Sequence, residues 1–512
     1  MQDYALTIDK FLDHAGKWFG DNEVVGAEDG RAVSRYGYAA LRDRANRLSG
    51  ALAAIGLRAG DRIATLAWNT PQHFETYYGA MGMGVVCHTL NPRLTAAQLA
   101  VMIDEAGDRV IAASADLAPL AEELAARCAC VERVIVLESA GEGSLDALID
   151  AHGAPFGWGG FDENAAAGLC YTSGTTGAPK GVLYTHRSNY LHTLRALQAD
   201  ALAITGRDSL LLAVPMFHAN GWGLPFAAPA VGTKLVLPGR ALDGASLAKL
   251  MLAEQVTVGV GVQTVWLGLA DYLEASGMAL PTLERVVIGG SHCPEALIRR
   301  LETVLGARVQ TSWGMTELSP VGTLSPPDQP AVPGAAGRPP MGVDLKLTDA
   351  DGMALPEQRG VQGHLKVRGA SVVDRYFRSD ADAVDGDGYF DTGDLATIDA
   401  AGNLTINGRA KDLIKSGGEW INPAEIEAIV GAHPAVRHVA VVARPDVKWG
   451  ERPVMIIEAD AGESADDLRE LLRGKIADWM IPREVVLVPA MPLAATGKID
   501  KMRLRAEFAA AA

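Results

Sequence analysis

Between Tyr171 and Gly181 the chain reads Tyr-Thr-Ser-Gly-Thr-Thr-Gly-Ala-Pro-Lys-Gly. Thr172, Ser173, Thr175 and Thr176 supply hydroxyl donors, Gly174 and Gly177 let the backbone come close to a ligand, and Lys180 adds one fixed cation. Glycine adopts positive φ without steric cost. Successive backbone N–H groups in such a turn make an anion-binding concavity, and the anion these groups suit is a nucleotide phosphate. A Walker A loop is excluded, because Lys180 follows Gly177 by three and precedes Gly181 where that motif needs Ser or Thr. Taken alone, the stretch also reads as a solvated Gly/Thr turn between strands.

Four more segments follow in order: Ser312 to Glu317 (Ser-Trp-Gly-Met-Thr-Glu), Tyr389 to Asp394 (Tyr-Phe-Asp-Thr-Gly-Asp), Gly408 to Asp412 (Gly-Arg-Ala-Lys-Asp) and Pro492 to Ile499 (Pro-Leu-Ala-Ala-Thr-Gly-Lys-Ile). Together with the first loop they resemble the adenylate-forming (AMP-binding) superfamily, which includes acyl-CoA synthetases, firefly-type luciferases and peptide-synthetase adenylation domains. The resemblance covers nearly the whole chain, and five motifs in the right order are far more specific than any one. It implies an acid–thiol ligase. A carboxylate attacks the α-phosphate of ATP and pyrophosphate leaves; a thiol then takes the acyl group and AMP leaves. Such phosphoryl chemistry needs positioning and charge neutralisation more than covalent catalysis.

Residue by residue, the resemblance assigns the loop and Lys180 to the β- and γ-phosphates. It makes Glu317 the Mg²⁺ ligand, with Thr316 as a phosphate donor; hard Mg²⁺ prefers carboxylate, water and phosphate oxygen. Gly289, Gly290, Ser291, Trp313 and Gly314 are similar to the adenine slot, where Trp313 offers a stacking or packing face. Asp394 resembles the ribose-binding aspartate, and Arg409 the arginine that meets ribose or phosphate at a domain junction. Lys498 resembles the lysine that bridges the carboxylate and the α-phosphate, where a positive charge stabilises the transition state. Out of context, Glu317, Arg409 and Lys498 read as exposed charges, and Trp313 as core.

Met216 to Gly223 resembles the segment lining the acyl pocket. His218 is implied to gate it, with a packed core histidine as the equal alternative. Trp222, Gln263, Trp266 and Val287 complete the expected substrate pocket. Ser416 to Ile421 is similar to the loop lining the pantetheine tunnel of acyl-CoA synthetases, so Lys415, Gly417, Gly418 and Trp420 are the expected CoA tunnel. Gly-Gly-Glu-Trp-Ile (Gly417 to Ile421) and Val265 to Leu269 look like ligases for medium-chain fatty acids and methylthiopropionate-type acids. Gln263 stands where that branch has Pro, and Asn422-Pro423-Ala424-Glu425 departs from its usual continuation, so an aromatic, alicyclic or methylthio acid stands as the alternative. The chain stops soon after Lys498, which favours free CoA over a tethered carrier protein. Two other readings are weighed: an acyl-AMP ligase loading a separate carrier, and an inactive nucleotide-binding relative. The presence of Lys180, Glu317, Asp394, Arg409 and Lys498 opposes the second.

A chain of 512 residues with 48% hydrophobic and 21% charged residues is soluble in type and too long for one core. The formal net charge of −16 argues against nucleic-acid binding and leaves an anionic nucleotide to local cations. No apolar run reaches a membrane span, no signal peptide is evident and the five cysteines are scattered, so a reducing cytoplasm is the expected location. The expected partners are a small carboxylic acid, ATP with Mg²⁺ and CoA, with a homodimer left open.

These residues need positioning elements. Short apolar runs alternate with helix-like stretches over the first two thirds, which predicts mainly parallel sheets covered by helices, with ligands beyond the strands' carboxyl ends. From about Val332, alternating residues predict a small β-barrel-like subdomain. Asn422 and Pro423 predict a helix start, and Ala465 to Trp479 reads as a helix. The fold class is α/β with a small mobile α+β C-terminal domain. The division runs 1–408 for the adenylation domain (β subdomain about 332–408), 409–411 for a hinge centred on Lys411, and 412–512 for the mobile domain.

Overall fold

A computed structural model describes residues 1–172, 179–290, 293–494 and 499–508. Four sheets organise them. The first runs Arg133–Val136, Val110–Ala113, Arg62–Leu66, Val86–Thr89, Ala166–Tyr171, Gly181–Thr185, all parallel except the last pair. The second has eight strands. Its parallel centre is Arg308–Gly314, Arg285–Gly289, Val258–Val262, Ser209–Leu212, Lys234–Leu237 and Glu23–Glu28, with antiparallel Val321–Leu324 and Arg31–Gly37 at the two edges. The central parallel strands of both sheets are mostly buried apolar runs, as parallel strands covered on two faces require.

One helix joins the two large sheets. Thr70 caps Pro71–Met81 by accepting from the His73 amide, and Pro71 fits the first turn, where its missing N–H costs nothing. Phe74, Tyr77 and Tyr78 of this helix share one buried cluster with Cys87 and Ala167 of the first sheet and Leu212, Val260 and Val287 of the second. The helix is buried on nearly every side, its polar His73, Glu75 and Thr76 included, as its place in the centre of such a sandwich requires.

The third sheet is antiparallel, in the order Val343–Thr348, Gln362–Gly369, Phe390–Ile398, Leu404–Arg409. The last sheet places Glu419–Ile421 beside Ile414–Ser416, then the long hairpin Gly450–Ala459 with Val436–Asp446, and Glu484–Leu487 along its side. The helix Pro423–Gly431 starts where Asn422 and Pro423 predict it, with the Asn422 side chain accepting from the Ala424 amide. The stretch from Ala465 to Trp479 is not one helix. It forms Ala465–Glu470, ending at Leu471, and a 3₁₀ turn at Asp478–Met480, and Gly474 between them at φ +71° keeps the two from joining. No helix among the described residues is long and apolar enough to cross a membrane.

Candidate active site

The expected phosphate-binding stretch lies between the strand Ala166–Tyr171 and the strand Gly181–Thr185. Its mouth is closed by two hydrogen bonds. The Thr172 amide donates to the Lys180 carbonyl at 2.9 Å, and the Lys180 amide donates to Thr172 Oγ1 at 3.1 Å. Lys180 is exposed, with Nζ 4.7 Å from the centre of the Tyr376 ring. Ser173, Gly174, Thr175, Thr176 and Gly177 of the expected phosphate site lie outside the described residues, as do Ser291 and Lys498.

The Thr316–Leu318 turn follows the strand Arg308–Gly314. Tyr184 holds it from below by donating its hydroxyl to the Thr316 carbonyl at 2.7 Å. The Val373 amide holds it from the side, donating to the Glu317 carbonyl at 2.8 Å. Glu317 Oε1 accepts from the Tyr376 hydroxyl at 2.9 Å, and among the described residues Oε2 takes no hydrogen bond. A nearly buried carboxylate with one oxygen held and one open fits a Mg²⁺ ion bound mainly through phosphate and water oxygens.

Asp394 lies on Phe390–Ile398 opposite Arg409, the last residue of the neighbouring strand. Arg409 Nε meets Asp394 Oδ1 at 2.9 Å, and its Nη1 donates to the Thr392 carbonyl at 2.8 Å. Trp313 Nε1 donates to Asp394 Oδ2 at 3.0 Å. Trp313 thus differs from an open stacking face: it is 9% exposed, its ring lies against Gly322, and its working atom is the indole N–H. An indole N–H removed from water needs an acceptor, and the carboxylate supplies one.

The expected acyl-pocket segment, Met216 to Gly223, is tied to the core at its start. Asn69 Oδ1 accepts from the Met216 amide at 2.7 Å, and the Tyr77 hydroxyl donates to the Met216 carbonyl. Ala219, Asn220, Gly221, Trp222 and Gly223 then all take positive φ, from 41° to 74°, making a left-handed turn. Non-glycine residues hold that conformation only where the surroundings over-determine it, and such strain gathers at functional sites. The turn swings the Trp222 ring onto Gly289, where a Cβ would stand 2.6 Å from the indole, so glycine is required there by space. Val287, in the same buried cluster, underlies this face, while His218 and Trp222 are half-buried. Gln263 opens the helix Gln263–Ser276 directly after the strand Val258–Val262. Gly290 follows Gly289 with φ +89°.

Trp266 corrects the expected pocket. It is wholly buried on the other face of the second sheet, against Gly259 and Gly261, and donates its indole N–H to the Val287 carbonyl at 3.2 Å. Successive strand residues face opposite sides. Val260 and Val287 therefore share the Trp222 side, and Gly259 and Gly261 share that of Trp266.

The expected CoA loop is a two-residue hairpin between Ile414–Ser416 and Glu419–Ile421. Gly417 (φ +62°) and Gly418 (φ +93°) take the two left-handed positions a type I′ turn demands. Trp420 is exposed, with Lys415 Nζ 5.4 Å from its ring centre. Beside Gly417 opens a cavity of about 520 Å³ lined by Trp449, Trp479, Arg452, Arg469, Arg473 and Arg483, with Glu419, Glu470 and Asp478 at its wall. Lys411 sits in the 3₁₀ turn Ala410–Asp412, directly after Arg409, where burial lowers its ammonium pKa.

Lys180, Tyr376 and Glu317 thus form one linked set, and Trp313, Asp394 and Arg409 a second. Sequence reasoning missed Tyr376, because nothing in Asp374-Arg375-Tyr376-Phe377 marks it as near two motif residues far away in the chain. It also missed Tyr184, whose hydroxyl alone separates it from its apolar strand neighbours.

The family model "AMP-binding enzyme" matches residues 12–377, and "AMP-binding enzyme C-terminal domain" matches residues 425–498. The chain belongs to the AMP-binding enzyme family. It is 42% identical to a 3-methylmercaptopropionyl-CoA ligase of Ruegeria lacuscaerulensis, over 99% of this chain and 98% of that one. It is also 42% identical to a medium-chain-fatty-acid–CoA ligase of Ectopseudomonas oleovorans, over 98% of this chain and 96% of that one. Among solved structures, ATP-bound MatB from Rhodopseudomonas palustris superposes with a TM-score of 0.88 at 26% identity, covering 98% of this chain and 99% of that one.

Proposed function

We propose that this AMP-forming acid–CoA ligase activates an apolar carboxylic acid of medium chain length, or a methylthio acid of similar size. The carboxylate oxygen attacks the α-phosphorus of ATP, forming the mixed anhydride and expelling pyrophosphate. The CoA thiolate then attacks the acyl carbonyl, and AMP departs with the bonding electrons of the acyl–oxygen bond.

The observation that carries this reading is the pair of linked sets, Lys180 through Tyr376 to Glu317 and Trp313 through Asp394 to Arg409. Lys180 supplies the cation and Glu317 the carboxylate that a triphosphate with its metal needs. Mg²⁺, when bound, would neutralise phosphate charge next to Glu317. Asp394 accepts from ribose hydroxyls and Arg409 stays beside it. Lys498 supplies positive charge at the α-phosphate during adenylation, as the resemblance implies. The apolar wall of Trp222 over Val287 supports an apolar acid, and likeness to two ligases for such acids supports the same choice.

CoA is assigned to the 412–512 region. The Gly417–Gly418 turn gives a thin wall for the pantetheine arm. The neighbouring cavity offers two indoles for a purine and four guanidinium groups, Arg469 included, for its phosphates. Residues 409–411 act as the hinge that presents Lys498 and this loop in turn.

The test is a panel of acids, from acetate to dodecanoate with 3-methylthiopropionate, benzoate and malonate. Pyrophosphate release is measured without CoA and AMP release with it. Medium-length or methylthio acids should give the highest kcat/KM, with AMP release dependent on CoA. A best rate with acetate, benzoate or malonate rejects the substrate, and CoA-independent turnover rejects the acceptor.

A further inference from the structure

Tyr376 stands between the two charged groups expected to meet the triphosphate, and no role in the reaction follows for it from the family motifs. Its ring lies under Lys180 Nζ at 4.7 Å, and its hydroxyl donates to Glu317 Oε1 at 2.9 Å. The flanking backbone is fastened to the same two places. The Phe377 amide donates to the Gly181 carbonyl at 2.8 Å, one residue beyond Lys180, and the Val373 amide donates to the Glu317 carbonyl at 2.8 Å. Ser371 adds a third tie to the turn, its hydroxyl donating to the Leu318 carbonyl at 3.2 Å. Residues 371–377 are therefore a strap running from the Glu317 turn to the phosphate-loop exit, with Tyr376 as its only aromatic group touching both charges.

We propose that Tyr376 is a positioning residue that sets the spacing between the Lys180 ammonium and the Glu317 carboxylate, so that one Mg²⁺-bound triphosphate is met by both. The inference rests on the nucleotide and metal roles proposed above.

The physical argument has three parts. Lys180 sits on an exposed stem with high rotamer freedom, and a ring face within 6 Å of its ammonium narrows the directions it samples. Glu317 has one oxygen fixed by a neutral donor. The fixed oxygen orients the open one without cancelling its charge, as an outer hydrogen bond does for a metal ligand. The Tyr376 hydroxyl is the donor in this contact, because an ionised carboxylate only accepts.

The role separates from simple packing because only ligands carrying β- and γ-phosphates use both charges. The experiment measures calorimetric binding of MgATP, ATP with EDTA, and AMP to the full chain without any carboxylic acid, so that no turnover occurs. Tyr376→Phe removes the hydroxyl and keeps the ring. It should weaken MgATP about tenfold, the scale of one hydrogen bond to a charged group, while ATP with EDTA and AMP bind as to the parent. Tyr376→Leu removes both contacts and should weaken both forms of ATP while sparing AMP. Coupling of Tyr376→Phe with Glu317→Gln should appear as a double variant no worse for MgATP than Glu317→Gln alone. Parent-like MgATP binding by Tyr376→Phe, or equal losses for MgATP and AMP, overturns the proposal; the Phe variant alone carries the test if the Leu variant does not fold. Failure of the parent protein to bind MgATP overturns instead the nucleotide reading beneath it, and the proposal with it.

Discussion

Trp313 Nε1 and Arg409 Nε take opposite oxygens of the Asp394 carboxylate, at 3.0 and 2.9 Å. The two donors approach from different sides and fix the direction of both oxygens. Asp394 is almost entirely buried, and the two donors offset the cost of keeping a charge there.

Trp313→Phe retains the packing on Gly322 and removes the N–H. A buried acceptor losing a donor costs about 1–3 kcal/mol, expressed here in ligand binding as well as in stability. The expected result is AMP affinity reduced roughly tenfold, with the preference for AMP over 2′-deoxy-AMP narrowed. Titration of both nucleotides against the variant checks it, and an unchanged preference would detach Trp313 from ribose recognition.

Stability should fall on mild acidification, through the joint between the two large sheets. His73 is wholly buried; its Nδ1–H donates to the Trp68 carbonyl and its Nε2 accepts from Thr65, a pattern open only to the neutral ring. Burial lowers its pKa from 6.5 to about 4. The unfolded chain therefore takes up a proton below pH 6.5 that the folded chain refuses until about pH 4. Stability from this group is complete above 6.5 and is lost as pH falls through that window. Between pH 7.5 and 5 the loss from His73 is about 2 kcal/mol. Urea unfolding at both values should show a larger drop for the parent than for His73→Gln; equal drops would rule out His73 as the titrating group.

The parallel sheets, the antiparallel sheet near the 332–408 stretch and the start at Asn422 and Pro423 were legible because each depends on local patterning or capping. Lys180, Glu317, Asp394 and Arg409 are marked by the motifs around them, whereas their contacts with Tyr376 and Trp313 are not. Trp266 was assigned to the wrong face because a helix's roll against a sheet depends on partners distant in sequence, here Gly259 and Gly261. Tyr376 was invisible for the same reason: its partners Lys180 and Glu317 approach only after the third sheet docks. The hairpin Glu23–Glu28 with Arg31–Gly37 carried its signal in Asp29-Gly30, both at positive φ, the pair a tight hairpin turn favours.

The acid's length limit should lie at Trp222. Its ring rests against Gly289 above Val287, held there by the left-handed turn. Trp222→Ala removes that wall. Each added methylene that becomes buried contributes about 0.8 kcal/mol, close to fourfold in kcat/KM. The variant should therefore prefer acids longer than the parent optimum by several carbons, with ATP KM unchanged. A chain-length series with both proteins decides it, and coincident optima would place the limit elsewhere.

The final prediction concerns the turn at Lys411. Arg409 is anchored to Asp394 and Thr392, whereas Asp412 is bound from the far side by Arg505 at 2.6 Å. The 3₁₀ turn Ala410–Asp412 is thus the short joint between two held ends. Lys498 and the Gly417–Gly418 loop both lie beyond it, and each is assigned a different half-reaction at one acyl adenylate. A rotation confined to a few dihedrals can present them in turn. Proline at position 411 would fix its own φ and bias Ala410 away from the helical region. Acid-dependent pyrophosphate release should survive in Lys411→Pro, since Lys180, Glu317 and Lys498 are untouched. Conversion of supplied acyl adenylate and CoA to thioester should fall by at least about a hundredfold, the scale of a misplaced reacting group. Lys498→Ala is the mirror case, losing the first half-reaction and keeping the second. A folded Lys411→Pro enzyme that makes acyl-CoA at the parent rate would show that no rotation at this joint is needed.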